Sequence, residues 1–464
     1  MSGMEGMNPT ALLPELILAL AAVGALLLGS WTPRHRQGRV RLLVVAALLA
    51  ALAAAMAAAT GASAGSGGYT VDTATHAVRA AVILGVLATV ALAADSLAGH
   101  PRESEFLVLL LLGGVGTMAL AGADDLLVLS VAYLLASIPL YALVGFAKDD
   151  SGTEAALKFY LLGALSGILL LTGATLLLGA GGTTAYTGLS AALPEAPRAL
   201  VVTGVIAVLA GLLFKAGGVP VHFWVPDVTE GAPAPVAAFV TTVPKIGALV
   251  ALYRLGDQVL AGAPLDWALL AALLAAASMT LGNLGAFFQT NVRRLLAYST
   301  ISQVGYLLMA AAAVGRAELA QPGLLFYLAA YLAANLGAFA VVCALGTRTL
   351  KEHAGLFRDR PWLALSLVVC LLSLVGTPPT AVFVGKLALF TAALDAGLGW
   401  LMVLAAANTL ASLFYYLRWI LPLFHARKEA PVAAPGPWST KVAVTAAVVS
   451  LGLGVSAGPV LGLL

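Results

Sequence analysis

The chain has 464 residues, of which 61% are hydrophobic and 10% are charged, and its mean hydropathy is +1.00. A soluble domain is about half apolar and about a quarter charged, so this composition excludes an ordinary soluble core and predicts an all-α polytopic membrane protein. The formal net charge of +3 is small, and we expect no nucleic acid partner. The sequence holds no nucleotide-binding glycine fingerprint, haem motif or iron–sulfur cysteine set, so we expect any redox chemistry on another chain.

Apolar runs of about 20 residues recur along the whole chain, and a helix of that length crosses a hydrocarbon layer of about 30 Å. In chain order they predict fourteen spanning helices, near residues 11–31, 40–62, 78–96, 104–122, 124–147, 156–180, 198–218, 235–254, 264–287, 295–314, 322–346, 362–390, 399–421 and 440–461. The first ten residues contain Glu5 but neither Lys nor Arg, so they lack the basic region of a cleavable signal peptide. We expect the first span to remain in the mature protein.

Most basic residues fall in predicted loops or at predicted helix ends, and they are unequally divided between the two sides of the membrane. One side receives seventeen of them: Arg34, Arg36, Arg39, Arg41, Arg102, Lys148, Lys158, Arg293, Arg294, Arg348, Lys351, Arg358, Arg360, Arg418, Arg427, Lys428 and Lys441. The opposite side has Arg79, Arg198, Arg254 and Arg316. The positive-inside rule then predicts that both termini lie on the non-cytoplasmic side.

Three lysines remain, and all three fall within the predicted spans: Lys215, Lys245 and Lys386. A lysine at the centre of a spanning helix costs about 2.5 to 3.5 kcal/mol, so such residues usually face the bundle interior or a water-filled path. Loss of water disfavours the charged ammonium, which lets a buried lysine accept and release protons. The alternative is that each lysine extends to the membrane interface or forms a structural ion pair.

Glycines and prolines close to two of these lysines predict broken spanning helices. Lys215 precedes Gly217, Gly218 and Pro220, whereas Lys386 follows Gly376, Pro378 and Pro379. A broken helix frees backbone groups, which is tolerated only within protein or beside a hydrated cavity. These clusters therefore predict a hydrated half-channel beside each lysine.

The two broken spans are the seventh and the twelfth, which suggests that a unit of about five helices occurs twice. A repeated unit with an odd number of helices enters the membrane from the opposite side, as in many transporters. The predicted organisation has four parts: 1–103 with three helices, 104–255 and 256–425 as inverted five-helix repeats, and 426–464 with the last helix.

Several stretches of the sequence resemble the antiporter-like membrane subunits of respiratory complex I. The most specific runs from Phe214-Lys215 to Lys245-Ile246 and includes Pro220-Val221-His222-Phe223-Trp224-Val225-Pro226-Asp227 and Glu230-Gly231-Ala232-Pro233-Ala234-Pro235-Val236. Others are Arg294-Leu295-Leu296-Ala297-Tyr298-Ser299, Leu374-Val375-Gly376-Thr377-Pro378-Pro379-Thr380 with Gly385-Lys386, and Tyr415-Tyr416-Leu417-Arg418. Leu13-Pro14-Glu15 and the segment 154–166 fit the subunit N branch of this family better than its sister branches.

This resemblance implies a location in a bacterial cell (inner) membrane and a proton path along a hydrated axis that contains Lys215, Lys245 and Lys386. It also implies that NAD, FMN, iron–sulfur clusters and quinone bind to partner subunits, and that none is a cofactor of this chain. The partners would be the other membrane-arm subunits and, through them, the peripheral redox arm. His222 either shuttles protons or caps backbone carbonyls, and Asp227 and Glu230 are expected to close the following turn.

The sequence departs from the family pattern at two positions. The fifth helix usually carries a glutamate in a Glu-x-x-Ser-x-Pro-Leu-Tyr context, but Leu134 stands there while Ser137 and the following Pro-Leu-Tyr match. The polar neighbours Tyr133 and Tyr141 are then the candidates for the proton path in this helix. Gln303 occupies a position that is often histidine, and an amide cannot carry a proton as an imidazole can.

The resemblance favours a proton-translocating membrane-arm subunit of NADH:quinone oxidoreductase, in which quinone reduction is coupled to proton pumping. Two alternatives stay open. One is a subunit of a related cation/proton antiporter or membrane-bound hydrogenase, and the other is a structural paralogue that does not pump, which Leu134 suggests.

Overall fold

The computed structural model describes residues 9–59, 64–65, 67–425 and 436–464. Glu5, Arg427 and Lys428, which entered the predictions for the first span and for the orientation, lie outside the described residues. The described residues are almost entirely helical, which confirms the predicted all-α class.

The first half of the chain forms helices whose ends follow local signals in the sequence. They are α1 (Leu13–Trp31), α2 (Gly38–Ala58), α3 (Thr73–Leu97), α4 (Glu103–Gly122), α5 (Leu126–Leu135), α6 (Ile138–Val144), α7 (Asp150–Gly181), α8 (Tyr186–Ala192), α9 (Arg198–Ala216) and α10 (Trp224–Gly231). Side chains of Asp72, Asp125 and Asp149 accept hydrogen bonds from the first free backbone N–H groups of α3, α5 and α7. Gly182 ends α7 with a φ of 69°, a left-handed conformation that favours glycine.

The second half continues with α11 (Ala234–Gln258), α12 (Trp267–Phe287), α13 (Val292–Ala312), α14 (Ala320–Leu345), α15 (Leu356–Asp359), α16 (Pro361–Val375), α17 (Ala381–Asp395), α18 (Gly399–Ile420), α19 (Pro437–Val455) and α20 (Ala457–Leu461). Short 3-10 turns occupy Pro9–Leu12, Arg34–Arg36, Leu193–Glu195, Leu350–His353 and Leu421–Phe424. Two short antiparallel strands, β1 (Ala64–Gly65) and β2 (Thr70–Val71), pair Ala64 with Val71 and Gly65 with Thr70.

Thirteen helical segments of the described chain are long and apolar enough to cross a membrane. The pair α16 and α17 supplies the remaining predicted span, and residues 376–380 interrupt it as the glycine and prolines predict. The fifth span differs from its prediction, because α5 and α6 are separated at Ala136 and Ser137. The inverted five-helix repeats and their boundaries stay a prediction.

The chain forms two compact units. The first contains residues up to 90, 97–216 and 243–267, and in it α7 packs along α9 while α4 packs against α1 and α5. The second contains residues 91–96, 217–242 and 268–464, and in it α14 packs against α16, α17 and α19. Within this second unit α13 is almost wholly buried, so polar side chains on α13 must find partners inside the protein.

Candidate functional site

The three lysines selected from the sequence are almost completely buried. Lys215, Lys245 and Lys386 expose 2%, 1% and 3% of their surface. In each case the amine donates a hydrogen bond to a backbone carbonyl at the end of a helix, where no N–H of the next turn is available. Lys215 and Lys245 belong to the first unit and Lys386 to the second.

Lys215 contacts the fifth span where it is interrupted between α5 and α6. Its Nζ donates to the carbonyl of Ala136 at 2.9 Å and lies 5.2 Å from the centre of the Tyr133 ring. Pro139 has no N–H for the carbonyl four residues before it, and the N–H of Leu140 turns to Ser137 at 3.0 Å. The carbonyl of Ala136 is therefore left for the lysine.

Lys245 contacts the C-terminal end of α9. Its Nζ donates to the carbonyl of Ala216 at 2.5 Å. In a continuous helix this carbonyl would accept from the residue four positions later, but that residue is Pro220 and has no N–H. Gly217 leaves the helical path with a φ of 76°, so the helix ends at Ala216.

Lys386 lies at the break between α16 and α17. Its Nζ donates to the carbonyl of Val375 at 2.9 Å and lies 4.0 Å from the centre of the Tyr306 ring. The residue four positions after Val375 is Pro379, so the carbonyl again lacks its helical donor. Gly376 has a φ of 88°, and a methyl group there would lie 2.9 Å from Cδ of Lys386. Glycine thus allows both the turn and the close approach of the lysine.

Gln303 belongs to the same site in the second unit. Its Nε2 donates to the carbonyl of Leu374 at 2.8 Å, and its Oε1 accepts from the Tyr327 hydroxyl at 2.5 Å. The Lys386 amine lies 3.5 Å from that Leu374 carbonyl. The amide therefore holds the broken end of α16, a contact that sequence analysis did not predict. Pro378, four residues after Leu374, was the signal that this carbonyl would need a partner.

The tyrosines and the histidine proposed for the proton path have different surroundings. Tyr133 is buried and presents its ring to Lys215, while its hydroxyl donates to the carbonyl of Gly163 at 3.3 Å. Tyr141 packs edge-on against Phe159 and Tyr160. His222 belongs to the second unit and lies just before α10, and its Nδ1 is buried with no hydrogen-bond partner among the described residues. Both interpretations of His222 stay predictions.

Leu134, at the position of the usual glutamate, has 39% of its surface exposed. Across the part of the chain that the structure describes, neither Lys215 nor Lys386 forms an ion pair with a carboxylate. The carbonyl contacts are therefore the main polar contacts of these two amines, and each is supplemented by an aromatic ring.

Two arginines that the sequence places near helix ends are buried. Arg79 lies six residues after the start of α3 and Arg254 four residues before the end of α11, and they expose 0% and 4% of their surface. Arg79 Nε donates to Glu15 at 2.7 Å, and Arg254 Nη1 donates to Asp72 at 2.9 Å. A carboxylate partner makes burial of each charge tolerable, which composition alone could not show.

Asp227 and Glu230 lie on α10 and not in an irregular turn. Arg294 Nη1 contacts both carboxylates, at 3.0 Å and 2.8 Å, and Asn291 Nδ2 donates to Glu230 at 2.8 Å. These contacts fasten α10 to the beginning of α13 in the second unit. They fit the structural role expected for both carboxylates.

The membrane family described as NADH:quinone oxidoreductase/Mrp antiporter matches residues 123–412, more than half of the chain. This match places the chain in the class of antiporter-like membrane proteins. A chain in the Mrp complex of a Dietzia species has a TM-score of 0.85 with 23% identity, covering 98% of this chain and 96% of that chain. At this identity the likeness concerns the fold alone.

Two other proteins are more similar in sequence. NADH-quinone oxidoreductase subunit N 1 of Streptomyces griseus is 55% identical over 460 residues, which is 98% of each chain. A chain of respiratory complex I from Thermus thermophilus, solved with bound aureothin, is 37% identical with a TM-score of 0.85, covering 97% of this chain and 98% of that chain. This chain therefore belongs to the subunit N family of NADH-quinone oxidoreductase.

Proposed function

We propose that this chain is a proton-translocating membrane-arm subunit of NADH:quinone oxidoreductase, and that Lys215, Lys245 and Lys386 carry the protons. The sequence relationship supports membership of such a complex. The observation that carries the proton role is that each buried amine binds a helix-end carbonyl that has a proline within the next four residues.

A carbonyl acceptor suits a group that gains and loses a proton. It remains hydrogen-bonded to the neutral amine as well as to the ammonium, since both forms have N–H donors. The partial negative charge at a helix C-terminus supports the ammonium, while burial supports the amine. A carboxylate partner would instead be left as an uncompensated buried charge whenever the lysine lost its proton.

We place the redox steps on partner subunits that hold NAD, FMN, iron–sulfur clusters and quinone, and the coupling to proton movement in the assembled membrane arm. The chain itself is a multi-pass membrane protein. We further propose that it lies in the bacterial cell (inner) membrane with both termini on the non-cytoplasmic side, because the basic residues are concentrated in alternate loops.

The test is proton pumping by the purified complex in sealed vesicles, measured together with NADH oxidation, for Lys215→Ala and Lys386→Ala. We expect fewer protons moved per NADH in both variants. Lys158→Ala is the matched control, because Lys158 is 45% exposed and pairs with Glu154 on the surface of α7. Normal pumping by both variants in fully assembled complex would overturn the proposal.

One observation favours a second candidate, a subunit that holds the complex together without pumping. Leu134 removes the usual carboxylate of the fifth helix and is partly exposed. The same measurement separates the two functions, because a structural subunit predicts normal pumping in lysine variants that assemble. Loss of pumping in the assembled variants excludes the structural role.

A further inference from the structure

Leu134 stands where the family pattern has a glutamate, and among the described residues Lys215 forms no ion pair with a carboxylate. Two other groups lie beside the lysine, the end of an interrupted helix and an aromatic ring. The carbonyl of Ala136 and the ring of Tyr133 both approach the amine of Lys215. All of these residues belong to the first unit.

Gly116 of α4 lies against the interruption. A methyl group at Gly116 would lie 2.3 Å from the backbone nitrogen of Ala136 and 2.6 Å from the carbonyl carbon of Leu135. The clashing atoms are backbone atoms, so no side-chain rotation can relieve the contact. Only the missing side chain of Gly116 allows α4 and the interrupted end of α5 to approach this closely.

The ring of Tyr133 is also held in place. Gly167 of α7 packs beside it, since a methyl group there would lie 3.2 Å from the ring. The Tyr133 hydroxyl donates to the carbonyl of Gly163, and its backbone carbonyl accepts from the Ser137 hydroxyl at 2.6 Å. The ring therefore keeps its face towards Lys215 through contacts with both α7 and the interruption.

We propose that Gly116 and Tyr133 are positioning residues that let the end of α5 replace the missing carboxylate as the charge partner of Lys215. The inference rests on the proposed function, in which Lys215 carries protons. An aromatic face attracts the ammonium through its quadrupole and attracts the neutral amine much less. The helix C-terminus adds partial negative charge in the same direction.

The substitutions Tyr133→Leu and Tyr133→Phe separate the ring from its hydroxyl. Removal of the ring loses a cation–π contact of about 0.5 to 2 kcal/mol, which corresponds to a roughly 2- to 30-fold change in the balance between the charged and neutral lysine. We expect Tyr133→Leu to pump fewer protons per NADH at a nearly normal rate of quinone reduction. Tyr133→Phe keeps the ring and loses only the hydroxyl contact with Gly163, so we expect it to pump more protons per NADH than Tyr133→Leu.

Gly116→Ala tests the position of the helix end, with Gly179→Ala as its matched control. Gly179 lies in α7 of the same unit, and a methyl group there meets nothing within 4 Å. We expect Gly116→Ala to lower protons per NADH and Gly179→Ala to leave the ratio unchanged. A general packing defect would lower pumping and quinone reduction together, in proportion to the assembled complex.

Lys215→Ala, measured in parallel, distinguishes failure of this inference from failure of the proposed function. If Lys215→Ala lowers pumping while Gly116→Ala and Tyr133→Leu match the parent, the positioning role is wrong and the proton role stands. If Lys215→Ala also pumps normally, the proposed function fails first. Should Gly116→Ala fail to assemble, the comparison of Tyr133→Leu with Tyr133→Phe decides alone.

Discussion

Burial removes water from the charged groups of two arginines and three lysines, and the two kinds of residue have different partners in its place. Arg79 and Arg254 bind the carboxylates of Glu15 and Asp72. The lysine amines bind backbone carbonyls at helix ends. Each arginine pair is neutral as a whole, whereas a lysine bound to a carbonyl keeps a net charge that only proton loss removes.

This difference separates residues that must stay charged from residues that can change charge. Arginine remains protonated in proteins and offers two parallel donors to a carboxylate, as Arg79 does to Glu15 at 2.7 Å and 2.8 Å. Lysine has a compact amine that loses its proton more readily when buried. The arginine pairs therefore suit sites that keep their charge, and the carbonyl-bound lysines suit the proton exchange that we propose.

The largest expected effect is on stability, from breaking an arginine pair. Glu15→Gln leaves the charge of Arg79 buried without its partner, and we expect a loss of about 3 to 5 kcal/mol in the free energy of unfolding. The measurement is thermal denaturation of the purified complex, in which the amount of this subunit that stays bound is recorded at each temperature.

Two controls sharpen that prediction. Glu154→Gln breaks the exposed pair with Lys158 and should change stability by no more than about 0.5 kcal/mol. Lys386→Met removes a buried charge that has no carboxylate partner among the described residues, but it leaves the carbonyl of Val375 without its donor. We expect a smaller loss of stability than from Glu15→Gln, about 1 to 3 kcal/mol. If Lys386→Met destabilises the protein as much as Glu15→Gln does, the distinction between the two kinds of site is wrong.

A smaller effect is expected from Gln303→Leu. This change leaves the Tyr327 hydroxyl and the Leu374 carbonyl without their amide partner, at a cost of about 1 to 3 kcal/mol. The broken end of α16 should also lose its fixed position beside Lys386, which lowers protons pumped per NADH. Gln303→His offers a ring with one donor and one acceptor, and we expect it to pump better than Gln303→Leu. Equal pumping by the two variants would contradict the positioning role of the amide.

The smallest expected effect is that of Leu134→Glu. The family pattern predicts that a carboxylate here alters coupling. Because Leu134 is 39% exposed and Lys215 already contacts Ala136 and Tyr133, we expect a smaller change in pumping than Gly116→Ala produces. The ratio of protons to NADH at matched assembly measures it. A larger change than in Gly116→Ala would show that the interruption does not replace the carboxylate.

Local signals in the sequence were sufficient to predict the spans and to single out the three lysines that the structure buries. Long apolar runs are sufficient to predict spanning helices, because a membrane requires every backbone group to be bonded within its own segment. The cluster of Gly376, Pro378 and Pro379 predicted the break beside Lys386 for the same local reason. The interruption at Ala136 was missed, although Pro139 marked it, because one proline in an apolar run often only bends a helix.

Only the tertiary structure decided which partner each buried charge would have. Arg79 and Glu15 are 64 residues apart in the chain, Arg254 and Asp72 are 182 apart, and Lys215 is 79 residues from Ala136. Sequence analysis singled out the lysines as costly, but it could not show that Arg79 and Arg254, which it placed near helix ends, are buried as well. The physical reason is that the cost of a buried charge depends on the groups that packing brings within a few ångströms of it, and chain order does not specify those groups.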